Sequence, residues 1–270
     1  KKGQQFWKDL AVVFSMIWLN LVLFAGLLVA GAVLMKISGA YPTAGWPGQG
    51  FPILCANLDS SGDPVINNFV QPYTIKQVGN LKIGIIGLNT EFANAGSNPS
   101  PLVILPPLGV TQGWVDELRN NQQCNFVIVI SHLGDLEDPV LASSVSGIDV
   151  ILGGHSHTEI STPVVVGQTL IIQAGEFYGK LGHLQLRIAN GTVQDWDYQL
   201  VTVDTSIPPA PEVQALVNNL VAGVEADPRF GPVYSQTLGQ AAVDLEKPLG
   251  TGLCMDNSLG NLVADSYREA

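Results

Sequence analysis

Charge is scarce in this sequence, and cysteine and histidine are scarcer still. Only 13% of the 270 residues are charged, with 12 Lys and Arg against 23 Asp and Glu, for a net charge of −11. A chain this acidic, with no basic stripe, repels nucleic acid, so no nucleic-acid partner is expected. An anionic substrate would have to be held by a metal ion or a local arginine rather than by the general field. The three cysteines, Cys55, Cys124 and Cys254, form no Cys-x-x-Cys pair, which argues against a thiolate zinc site. Their odd number leaves at least one unpaired within the chain. No internal repeat is present. Histidines number four, and three of them fall within two short strings.

Long runs that are both uncharged and strongly apolar are also rare, with one exception. Leu10 to Met35 carries no charged residue. As a helix it would span about 39 Å at ~1.5 Å per residue, enough to cross a bilayer with some tilt. Lys1, Lys2 and Lys8 precede it and only Lys36 follows closely, which places the N-terminus in the cytoplasm by the positive-inside rule. A cleaved signal peptide and a buried core helix usually have shorter apolar segments, so the run reads as a retained anchor. The expectation is a single-pass protein whose main domain is periplasmic or extracellular. Its expected partners are the lipid bilayer and other membrane subunits.

The remainder alternates strand and helix signals. Residues 37–50 are rich in Gly and Pro and read as a linker. Phe51 to Leu58 reads as a strand, and Tyr73 to Val78 with Leu81 to Leu88 as a hairpin around Gly79-Asn80. Gly109 to Gln123 has helical spacing, followed by a strand at Phe126 to Ile130, a helix near 139–145 and a strand at Asp149 to Leu152. Thr169 to Gln173, His183 to Ala189 and Val193 to Val203 read as strands, the last two joined at Asn190-Gly191 by a two-residue turn. That dipeptide also opens an Asn-x-Thr sequon, which the turn explains without a sugar. Pro211 to Ala226 reads as an amphipathic helix, Val233 to Leu245 as extended chain, and Asn261 to Ala270 as a further helix.

The two histidine strings are Ser131-His132-Leu133-Gly134 and Gly153-Gly154-His155-Ser156-His157. Each follows an apolar run that reads as a buried strand, and open α/β sheets place ligand sites at such strand ends. One histidine there is ordinarily a surface or hydrogen-bonded residue. Three on two neighbouring ends suit zinc or another first-row divalent ion. If the His-x-His loop is extended, both of its rings point to one side.

The order of motifs resembles the 5′-nucleotidase family of metallophosphoesterases. The resemblance is carried by Phe51-Pro-Ile-Leu-Cys-Ala-Asn-Leu58, Lys82-Ile-Gly-Ile-Ile-Gly-Leu-Asn-Thr90, the His132 string and Gly147-Ile-Asp-Val-Ile-Leu-Gly-Gly-His-Ser-His157. Gln173-Ala-Gly-Glu-Phe-Tyr-Gly179 and Asn257-Ser-Leu-Gly-Asn-Leu-Val-Ala-Asp265 complete it. The resemblance implies an α/β fold with an αββα catalytic domain and a following substrate-binding domain. It also implies a two-metal site in which His132 and His155 bind one ion and His157 the other, and hydrolysis of nucleotide phosphomonoesters.

The family's Asp-x-His, bridging Asp and Gly-Asn-His-Glu strings are not found in this sequence. Three neutral imidazoles do not neutralise two divalent cations, so one Zn or Mn ion is expected rather than a full dinuclear centre. Asp135, Asp138 and Glu91 are the candidates for a replacement carboxylate, each read as a solvated loop residue. Neither a catalytic nor a substrate-binding residue is assigned. The expected organisation is a basic tail at 1–9, a transmembrane helix at 10–35, a linker at 36–50, an incomplete metallophosphoesterase-like domain at 51–205, and a connecting helix with the start of a C-terminal domain at 206–270. The expected function is a membrane-anchored 5′-nucleotidase-like hydrolase of impaired or absent activity. The alternative is a catalytically inactive accessory subunit of a membrane complex.

Overall fold

A computed structural model describes residues 51–97, 99–237, 240–245 and 258–269. The chain divides into two compact units, one ending at Ser206 and the other beginning at Ile207. In the first unit, β1 (Ile53–Leu54) and β2 (Leu58–Asp59) are followed by α1 (Pro64–Phe69), β3 (Val70–Gln71), β4 (Tyr73–Val78) and β5 (Leu81–Asn89). Next come α2 (Phe92–Ser97), β6 (Val103–Ile104) and α3 (Pro107–Asp116), which runs into a π-helical turn at Glu117–Asn121. Then follow β7 (Phe126–His132), α4 (Glu137–Ser144), β8 (Val150–Leu152), β9 (Val164–Val166), β10 (Thr169–Ile172), β11 (Lys180–Ala189) and β12 (Thr192–Thr202).

Six strands form the main sheet in the order β4-β5-β7-β8-β10-β9. The four inner strands run parallel, and the outer strands β4 and β9 are antiparallel to their neighbours. Both faces of the inner strands are covered, so their sequences are nearly continuous apolar runs. The period of two still sorts the side chains. Ile83, Ile85, Phe126, Ile128 and Ile130 face one cluster, together with Leu184, Leu186 and Tyr198 of the β11–β12 hairpin. Ile86, Leu88, Val127, Val129 and Ile151 face the other, with Val115, Leu118, Leu141 and Val145 from the helical side. The layers are therefore hairpin, sheet and helices.

Several local features follow from single residues. Asn190 and Gly191 both have positive φ, 52° and 74°, as a two-residue hairpin turn between twisted strands requires. Gly87 lies on β5 where a Cβ would sit 2.3 Å from the Leu54 carbonyl oxygen, so glycine alone admits this approach of β1. The strand expected over 51–58 is instead broken into β1 and β2. Between them Asn57, fully buried, turns its side chain to the backbone. Its Nδ2 donates to the Asn89 and Leu105 carbonyls (2.7 and 2.8 Å), and its Oδ1 accepts from the Asn89 amide (2.9 Å). Val233 to Leu245 contains no strand among its described residues.

In the second unit, α5 (Pro211–Ala226) starts with proline at its first position, and α6 spans Ser258–Glu269. Val213, Leu216, Val217 and Leu220 on α5 are exposed.

The α/β metallophosphoesterase-like core matches the expected fold class, but the expected membrane architecture is corrected. Among the described residues no helix is long and apolar enough to cross a membrane. The longest of these helices, α5, has 16 residues, about 24 Å against a hydrocarbon core of about 30 Å. The run 10–35 lies outside the described residues, as do the tail and linker on either side of it. The expected transmembrane helix, the bilayer and membrane-subunit partners, and the single-pass localisation have no counterpart among the described residues.

Candidate metal centre

The parallel strands β5, β7, β8 and β10 bring Asn89, His132, Leu152 and Ile172 to one edge of the sheet. Asn89 pairs in register with His132, and the β7–β8 ladder ends at Ile130 and Leu152. His132 is thus the last residue of its strand. His155 follows β8 after the two glycines 153 and 154.

The structure brings His132 and His155 together. Their rings meet edge to face, with centroids 5.0 Å apart and His155 Nδ1 3.4 Å from His132 Nε2. Burial pulls the His132 imidazole down to about 4 from its ordinary 6.5, and the neighbouring His155 and His157 add to the effect. His132 is therefore neutral at pH 7, the form that ligates metals. Its Nδ1 is buried without a hydrogen-bond partner.

His157 is turned elsewhere. Its Nδ1 lies 2.5 Å from Glu176 Oε2, and its ring packs against Phe177 with centroids 5.8 Å apart. The divergence has a backbone cause. The His-x-His segment is not extended: His155 and His157 both have positive φ, 75° and 61°. Side chains in that conformation do not alternate as they do along a strand. Left-handed non-glycine residues cost on the order of 1 kcal/mol each and cluster at functional sites.

Beneath the histidines lies a buried polar set. Asp138 of α4 is fully buried; its Oδ1 accepts a hydrogen bond from the Ser131 hydroxyl, and its Oδ2 has no partner. Burial raises its carboxyl to about 7, offset in part by the Ser131 hydrogen bond. Gln173, directly after β10, accepts at Oε1 from the Thr158 amide (2.7 Å) and the Ser156 hydroxyl (3.1 Å). The Ser156 hydroxyl in turn accepts from the Asp135 amide (3.1 Å).

None of the three carboxylates considered as replacement ligands joins the histidines. Asp135 is held below the usual carboxylate range by hydrogen bonds from the Ser156 and Thr158 side chains. Glu91 is exposed. Asp138 points inward and is not a solvated loop residue. Its position had a sequence signal: Asp138, Leu141 and Val145 share one helical face, and all three are buried. Glu176 is the carboxylate that sequence reasoning left unassigned, although it stands in the 173–179 motif. Accepting from the Nδ1 of a histidine is how a carboxylate orients a ligand ring and leaves Nε2 free for metal.

The donor types suit a divalent ion: two imidazoles in contact, an unpartnered buried ring nitrogen, and a third imidazole held by a carboxylate. The assembled number does not complete a site. Among the described residues no group of three or more His, Cys, Asp or Glu is placed to hold a metal.

No protein-family model matches the chain. It is similar to the trifunctional nucleotide phosphoesterase YfkN of Bacillus subtilis, 26% identical over 80% of this chain and 16% of that protein. It is similar to the 5′-nucleotidase of Bos taurus, 29% identical over 80% of this chain and 40% of that protein. Among solved structures, a 5′-nucleotidase precursor from Thermus thermophilus is 30% identical, with a TM-score of 0.58 over 65% of this chain and 39% of that one. A sulfate thiohydrolase, SoxB, from Thermus thermophilus is 25% identical, with a TM-score of 0.59 over 71% of this chain and 34% of that one. The chain spans less than half the length of each. These likenesses in sequence and in fold support membership of the chain in the 5′-nucleotidase/metallophosphoesterase superfamily.

Proposed function

We propose that this chain carries the imidazole side of a divalent-metal centre for hydrolysis of nucleotide phosphomonoesters. His132 and His155 share one ion, and His157, oriented by Glu176, provides a further ligand. The observation that carries this reading is the convergence of His132 and His155, 3.4 Å apart, at adjacent strand ends. Resemblance to a metal-dependent hydrolase, through relatives named as nucleotide phosphoesterase and 5′-nucleotidase, supports the chemistry. Zinc or manganese fits neutral imidazole donors. No chemical step is assigned to the ion, because the described residues do not assemble its full ligand set.

That same shortfall favours a second reading, in which the chain binds a metal without turnover and serves a non-catalytic role. One experiment separates the two. The purified, metal-loaded chain is incubated with 5′-nucleotides, and phosphate release is compared with that of a His132→Asn variant. Metal-dependent release lost in the variant is expected. Zinc or manganese binding without release would overturn the hydrolytic reading and leave the second.

A further inference from the structure

We propose that Asp138 is a positioning residue: its buried carboxyl, wedged between Ser131 and the backbone of Gly153, sets the distance between the two histidine-bearing strand ends. The inference rests on reading His132 and His155 as partners in one centre.

The β7–β8 ladder stops at Ile130 and Leu152. Beyond that pair, side chains decide how far apart the two ends stand. On the β7 side, the Ser131 hydroxyl donates to Asp138 Oδ1 and accepts from the Leu133 amide at 3.2 Å. The Asp138 amide donates to the Gly134 carbonyl at 2.9 Å. The residues flanking His132 are thereby tied to the start of α4. On the β8 side, Asp138 Oδ2 lies directly against Gly153, where an added Cβ would come within 2.5 Å of it and 3.3 Å of Gln173 Nε2. Only glycine leaves room for the carboxyl at this point. Two residues further on, the chain delivers His155 to His132.

The choice of residue is costly. Asp138 is 0% exposed, and both its Oδ2 and Gln173 Nε2 lack a hydrogen-bond partner. A buried polar atom without a partner is costly, because it has given up its hydrogen bonds to water with no replacement. An apolar side chain on this face of α4, beside Leu141, would avoid that cost. It would not accept from Ser131 and would not fix the end of β7. A second polar set runs from Gln173 to Thr158 and Ser156, and from Ser156 to Asp135. It ties the loops after β7 and β8 to Gln173 at the end of β10.

The test uses the whole chain and two readouts that a role in folding alone would not move. The first is the nuclear Overhauser contact between the His132 and His155 rings in metal-free protein. The second is zinc affinity by calorimetry. Asp138→Ala is expected to lose the ring contact and to weaken zinc binding about 10–100-fold, the range for removal of a group that orients a ligand. Asp138→Asn, which keeps the shape and the acceptor for Ser131, retains both. Ser131→Ala, a smaller perturbation that serves if Asp138→Ala fails to fold, weakens both in the same direction. Folded Asp138→Ala and Ser131→Ala variants with the ring contact intact would overturn the proposal, whatever their unfolding midpoints. If the unaltered chain binds no zinc, the metal-centre reading fails, while the ring contact still decides the role of Asp138.

Discussion

In metal-free protein, a partly buried imidazole and a fully buried carboxyl near the sheet edge pull stability in opposite directions as pH changes. His132 ionises at about 4 in the folded chain against an ordinary 6.5. The unfolded chain takes up its proton first, so this group's contribution is present above pH 6.5 and is lost as pH falls through 4. At ~1.36 kcal/mol per pH unit the loss is about 3 kcal/mol. Asp138 is the reverse case: its carboxyl, raised from 3.8 to about 7 by burial, is protonated in the folded chain when the unfolded chain has already ionised. Its contribution is present below 3.8 and is lost as pH rises through 7, by about 4 kcal/mol. Between about pH 4 and 6.5 the two slopes oppose and nearly cancel. Asp138→Asn removes one of them, so its stability should climb by about 3 kcal/mol relative to the parent from pH 4 to 6.5. His132→Asn should fall by about 3 kcal/mol relative to the parent from pH 4 to 6.5. Urea unfolding in the presence of a chelator, at half-unit pH steps, gives both curves. Carboxylates held below their ordinary range by other partners, such as Asp204 and Asp227, contribute equally to all three proteins and cancel in the differences. A difference curve between Asp138→Asn and the parent that is flat across this window would refute the reasoning.

Other consequences follow from single contacts. Glu176→Gln should lower zinc affinity about 10–100-fold by releasing the His157 ring, measured by calorimetry; unchanged affinity would remove Glu176 from the site. Asn57→Ala strands three backbone groups at Asn89 and Leu105 and should cost about 3–5 kcal/mol in urea unfolding; a loss below about 1 kcal/mol would mean the strand ends do not depend on it. Gly87→Ala forces a methyl against the Leu54 carbonyl and should destabilise by about 3 kcal/mol or more, while an unaffected midpoint would place β1 elsewhere.

The parts of the fold legible in the sequence are those where one local rule acts alone. β5 and β7 are apolar runs buried on both faces, and Asn190-Gly191 is a turn that its residue types specify. The apolar run at 51–58 misled because Asn57 satisfies backbone groups 32 and 48 residues away, a tertiary demand that no local pattern carries. Residues 64–69 went unread as a helix, although Asp63 caps it by accepting from the Val65 and Ile66 amides. β9, three valines on an outer strand, was too short to stand out from its loop. At the site, sequence placed His132 and His155 at adjacent strand ends. It could not show that His155 and His157 adopt positive φ, because neither is a glycine that would signal it. The direction of each ring followed from that backbone choice. Asp138 was legible in principle from its helical spacing with Leu141 and Val145, yet its charge argued for solvent and the packing prevailed.

The most direct measurement of the central claim is X-ray absorption at the zinc edge on the zinc-loaded chain, beside a His132→Asn, His155→Asn double variant. The account predicts imidazole scattering from at least two rings, at Zn–N distances of about 2.0–2.1 Å, lost in the double variant. Zinc bound without imidazole scattering, or an unaltered spectrum in the double variant, would contradict it.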